Sequence, residues 1–67
     1  MADLAQGYAT WFRRELAKRK LTQEAAGREL RVSLATIQRW SGGRSLPRYE
    51  ELTKIKKAWG VVPPPLA

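Results

Sequence analysis

The sequence predicts an all-α fold of short helices, and three observations carry the prediction. Apolar residues recur at steps of three and four, as a helix with one buried stripe requires. Thr22 and Ser33 stand as capping residues ahead of two such stretches. Glycines then stop the third and fourth stretches, at Gly42 and Gly43 and at Gly60.

Tyr8, Trp11, Phe12 and Leu16 place one apolar face on a first helix, predicted from Gln6 to Lys20, with Arg13, Arg14, Lys18 and Arg19 mostly on its other faces. Thr22 is suited to open a second helix, because its hydroxyl accepts from an amide that has no partner inside the helix; Ala26 and Leu30 form its buried edge. Only Arg31 and Val32 separate it from Ser33, the cap of a third helix expected from Leu34 to about Trp40, with Ile37 and Trp40 inward. Gly42 and Gly43 stop that helix, since glycine enters left-handed backbone without a side-chain clash. After a loop from Arg44 to Leu46, Pro47 suits the first turn of a fourth helix, whose positive end Glu50 and Glu51 complement and whose stripe is Leu52, Ile55 and Trp59. Gly60 ends it. The closing VVPPPLA is too proline-rich to continue a helix and is expected to be extended. Residues 1–60 therefore read as one domain and 61–67 as a proline-rich extended tail or linker.

Composition bounds what such a chain does. Its 67 residues hold one core, and a chain this short buries only about 60% of its unfolded surface. It has no Cys and no His, so thiolate and imidazole zinc sites, Cys or His catalysis and redox constraints are all excluded. Of the six carboxylates, Asp3, Glu15, Glu24, Glu29, Glu50 and Glu51, four neighbour helix positions where they read as solvated partners of Arg and Lys. No enzyme, catalytic residue, metal or cofactor is expected. No stretch reads as a membrane span or signal peptide, so a soluble cytoplasmic protein is expected. Thirteen Lys and Arg against six acids, net +7, attract polyanions by counterion release, nucleic acid ahead of an anionic membrane surface.

The segment from Gln23 to Trp40 is the informative one. Two helices that cross steeply around a tight turn need a small residue where their backbones meet, and Gly27 supplies it. Such a pair leaves the second helix prominent, with Leu34, Ala35, Gln38 and Arg39 facing outward, where a major groove admits them.

These residues resemble the phage-repressor-like Xre/Cro helix-turn-helix family over about Phe12 to Val61: FRREL in the first helix, LTQEAA entering the second, RVS at the turn, TIQRW in the third, then GGRSLP and KKAWGV. The resemblance implies a compact, lambda-repressor-like bundle of four or five helices, a homodimer, and a palindromic double-stranded DNA operator read by a recognition helix over about 34–40. It implies that Gln23 bonds a DNA phosphate, that Leu34, Ala35, Gln38 and Arg39 face base edges, and that Gly43, Arg44 and Arg48 lie in a loop that grips the backbone. Two departures stand out. Arg31 occupies a turn position where the family commonly has glycine with positive φ, and there its side chain is expected to reach phosphate. Gly27 replaces the usual alanine.

Chemistry assigns matching roles. Arg39 has the fork that pairs with guanine O6 and N7, Gln38 suits adenine, and Ala35 and Leu34 suit thymine methyl groups. Arg44, Arg48 and Gln23 fix register rather than sequence. The expected function is a sequence-specific, repressor-like transcription regulator of phage or bacterial kind. The alternatives are a protein-binding adaptor that uses exposed Leu34 or the PPP tail, and a non-specific nucleic-acid binder.

Overall fold

Side-chain oxygens start three of the four helices. In the computed structural model, which describes residues 3–66, these are α1 (Leu4–Arg19), α2 (Gln23–Leu30), α3 (Leu34–Ser41) and α4 (Tyr49–Trp59). Asp3 Oδ1 accepts from the Ala5 amide at 3.0 Å, Thr22 Oγ1 from Ala25 at 3.0 Å, and Ser33 Oγ from Thr36 at 3.1 Å. Each cap is worth about 1 kcal/mol. The Asp3 cap explains why α1 begins at Leu4 rather than Gln6. It ends at Arg19 because Lys20 turns left-handed, φ 55°, and its amide folds back to the Ala17 carbonyl.

Three sequence expectations need correction. Gly42 stays right-handed at φ −90°, so α3 runs one residue past Trp40, and Gly43 alone, at φ 74°, turns the chain. Pro47 precedes α4 instead of starting it. The helix is capped at Arg48, whose free amide donates to Glu51 Oε1 at 2.8 Å. The tail is not extended throughout: Pro63 is fully buried and Pro64–Leu66 makes a 3₁₀ turn against α1, with Val61 and Leu66 packed on the core. Apolar burial decides that outcome, since Val61, Pro63 and Leu66 gain more by covering the bundle than by solvation. A Cα radius of gyration of 10.7 Å fits a chain folded in to its end, near the ~11 Å of a compact domain this long.

Phe12 is the centre of the core, with no solvent exposure. It stacks on Tyr8 and Trp59 at 5.6 and 5.7 Å between centroids and meets Trp40 edge-on at 5.9 Å. Such pairs add about 0.5–1.5 kcal/mol each beyond their burial. Residues of α1, α3 and α4 are thereby held around one ring, and Ala26, Leu30, Ile37, Leu52 and Ile55 complete the interior. Trp11 is only partly buried, at the edge of this group.

A polar network locks the bundle on the other side. Glu15 is buried, yet it is paired with Lys18 at 3.4 Å and Arg19 at 3.3 Å. Arg19 also lies over the Trp59 ring, 4.7 Å from its centroid, and donates to the Trp59 carbonyl at 3.2 Å. Trp59 Nε1 then donates to Glu29 Oε1 at 3.1 Å. One chain of contacts thus joins α1, α4 and α2.

Two core residues yield tests. Among the described residues the buried Tyr8 hydroxyl has no hydrogen-bond partner, and burial, with the Glu51 charge second, pushes its pKa far above the ordinary value of 10. Tyr8 therefore stays neutral in the fold while the unfolded chain ionises it, so its contribution to stability is lost as pH rises past about 10. Tyr8→Phe is expected to be neutral or up to about 1 kcal/mol more stable at pH 7. Thermal melts from pH 7 to 11 should show a shallower alkaline decline than wild type. At Gly27 a Cβ would stand 2.9 Å from the Val32 carbonyl oxygen. Gly27→Ala should therefore destabilise by about 1 kcal/mol in urea titrations, despite alanine's better helix propensity, because overpacking costs about 1–3 kcal/mol.

Candidate nucleic-acid interface

The geometry of the site begins at Gly27, where α2 and α3 come into contact. The Gly27 carbonyl accepts from the Arg31 and Val32 amides, the latter at 2.9 Å, and Ile37 of α3 lies against the same glycine. Arg31 must adopt φ 58° to close this turn, as its alignment with a positive-φ position implied. From α1, the Arg13 guanidinium donates to the Ser41 carbonyl, placing a cation at the negative end of α3. Buried Ile37 and Trp40 fix the inner face of α3. Its opposite face is left in solvent.

That face carries Leu34, Ala35, Gln38 and Arg39, all exposed. Ala35, Gln38 and Arg39 line one shallow depression together with Gly42 and Arg44. Leu34, 40% exposed, stands apart from it at the start of α3. Arg39 is oriented rather than free: its Nη2 donates to Thr36 Oγ1 at 3.3 Å, and that hydroxyl pairs with Ser33 Oγ at 2.9 Å. A long side chain on a helix leans toward the N-terminus, and this chain of hydroxyls holds the guanidinium in that lean.

The loop after α3 supplies further cations. The Arg44 amide bonds back to the Arg39 carbonyl at 3.0 Å, which sets the loop's departure angle. Gly43 is confined twice, by its left-handed φ and by the Gln6 carboxamide, which occupies the space a Cβ would need. Arg48 shares a second depression with Thr36, Arg39, Trp40, Ser45, Leu46 and Glu51, so Arg39 lies between Arg44 and Arg48. Besides Leu34, two further expected contact residues lie apart from this cluster. Gln23 sits half-buried at the first position of α2, and Arg31 opens onto a different depression, lined by Glu29, Leu30, Lys54, Lys57 and Ala58.

The sequence reading overlooked Arg13, Gln6 and Thr36 as supports for this surface. For Thr36 a signal was present in the i, i+3 spacing of Ser33, Thr36 and Arg39. For Arg13 and Gln6 there was none, since each acts across a long stretch of chain.

The assembled surface is cationic along the loop after α3 and without a cluster of acids able to hold a metal among the described residues. No helix of the described residues is long and apolar enough to cross a membrane. A family model described as helix-turn-helix matches residues 12–65. Neither the curated proteins nor the solved structures give a match.

Arg48 provides a test of how the surface is built. As the residue capping α4 it offers no acceptor to the helix, and its cation sits at the positive helix end. Only the reverse half of a capping box, from the Arg48 amide to Glu51, is formed. Arg48→Ser is expected to complete the box and raise stability by about 1 kcal/mol, measured by chemical denaturation.

Proposed function

The chain belongs to the helix-turn-helix family of Xre/Cro and lambda-repressor-like domains, DNA-binding regulators rather than enzymes, and on that premise we propose that it is a sequence-specific, repressor-like regulator that reads duplex DNA through α3. The observation that carries the reading is the shared depression in which Ala35, Gln38 and Arg39 meet Gly42 and Arg44. Groups suited to base edges and groups suited to phosphate there open on one surface.

In this reading Arg39 pairs with guanine O6 and N7, a contact worth about 1–3 kcal/mol of discrimination, and its hydrogen bond to Thr36 favours the required orientation. Gln38 reads adenine, and Ala35 and Leu34 contact thymine methyl groups. Gln23, Arg31, Gly43, Arg44 and Arg48 bind phosphate and set register. Eight residues of α3 span roughly 12 Å, about the width of the major groove, so a single copy reads only a few base pairs. A homodimer on a palindromic operator doubles that information, with half-sites about 34 Å apart. With DNA as partner, its place of action is the cytoplasm of a bacterial or phage-infected cell.

Selection from random duplexes at about physiological salt, run with wild type and Arg39→Ala, tests the proposal. Wild type should enrich a two-fold motif, and the mutant should lose preference at one base pair per half-site. Arg44→Ala should weaken all sequences alike and lower the salt slope by about one. Enrichment of no motif would reject sequence reading and favour a protein-binding adaptor, or a non-specific binder if affinity stays high and steeply salt-dependent.

A further inference from the structure

Arg31 opens onto a depression between the C-terminal end of α2 and the outer face of α4, and Lys54 and Lys57 line the same depression. The two lysines stand three residues apart, on one side of α4. Among the described residues, none of the three cations lies within ion-pair distance of a carboxylate. The one acid lining the depression, Glu29, accepts from the Trp59 indole instead. Three cations with one carboxylate leave a local excess of positive charge. Like charges gathered without counter-ions repel one another and attract a polyanion.

Position indicates which polyanion. Arg31 lies three residues before Leu34, at the N-terminal end of α3, whereas Arg44 and Arg48 follow its C-terminal end. The helix between them is roughly 12 Å long, close to the width of a major groove. A helix laid across that groove has one bordering strand near each of its ends. The backbone at Arg31 reinforces the point. Its left-handed conformation is one that glycine adopts without strain, yet the position holds a long cation.

We propose that Arg31, Lys54 and Lys57 form a second phosphate clamp, which grips the strand across the major groove from the one held by Arg44 and Arg48. The proposal rests on α3 entering the groove and adds Lys54 and Lys57 to the DNA-contacting set. The loop clamp and this one together straddle the groove and fix the tilt of α3 within it. Because the second clamp touches only backbone, it adds affinity without adding sequence preference.

The test is a salt titration of duplex binding, by anisotropy, for wild type, Arg31→Gly, Lys54→Ala/Lys57→Ala and the triple combination. Arg31→Gly relieves the left-handed strain and so folds at least as well as wild type, which removes misfolding as an explanation of lost affinity. Each phosphate contact contributes about 0.9 to the slope of log K against log salt, so the triple variant should lose about two to three units of slope. Its affinity should fall by a similar factor on every sequence, and the selected motif should stay unchanged. A slope equal to that of wild type would overturn the clamp. The outcome is independent of base reading: should no preferred motif exist, the slopes can still be measured on an arbitrary duplex, and Arg44→Ala measured in parallel reports whether the α3 side contacts DNA at all.

Discussion

The close approach of α2 to the α2–α3 turn, with no side chain between Gly27 and the Val32 carbonyl, is the constraint on which the rest of the molecule depends. Two eight-residue helices are too short to be stable alone, and their crossing angle is set by what separates them. Once that separation is fixed, Ile37 and Trp40 reach the aromatic centre around Phe12, and the opposite side of α3 has nowhere to go but solvent. The exposed face is thus a by-product of packing. A small displacement at Gly27 would be carried along α3 to the residues at its far end.

Charge is divided between two tasks in this chain. Arg13 and Arg19 are spent internally, on the ends of α3 and α4, where their guanidinium groups meet backbone carbonyls. Arg39, Arg44 and Arg48, and on the other side Arg31, Lys54 and Lys57, have no carboxylate partner within ion-pair distance among the described residues. Arginine suits the internal posts because its fork satisfies several acceptors at once; Arg19 serves Glu15, the Trp59 carbonyl and the indole face together. The net charge of +7 therefore resides mostly where it faces outward.

Much of this was legible in the sequence, and the reasons differ by element. The α2–α3 pair was clearest, because Thr22 and Ser33 cap through their own side chains and Gly27 answers the need for a small residue at the crossing. Outward positions on α3 followed from the inward ones by helical period alone. The tail was misread because prolines forbid a regular helix but do not forbid burial, and Pro63 packs as an apolar body would. The start of α4 was misplaced since proline tolerates positions just before a helix as well as just inside it. Supports such as Gln6 over Gly43 act between segments distant in sequence, and no local pattern encodes them. The depression joining Arg31 to Lys54 and Lys57 is of the same kind.

Lys20 and Arg31 are the two positions in the described chain where a residue other than glycine holds a left-handed conformation. Both end helices, and both forgo stability that glycine would restore at the same corner. For Arg31 the side chain has a use in the proposed clamp, but Lys20 lies at the α1–α2 corner, outside all three basic depressions. It represents a reserve of stability. Exchanging Leu34, Ala35, Gln38 or Arg39 to follow a drifting operator disturbs a short helix in a small domain with little margin. A compensating glycine at position 20 offsets such a disturbance without touching the reading surface, so the fold and the binding specificity of this chain are free to evolve on separate residues.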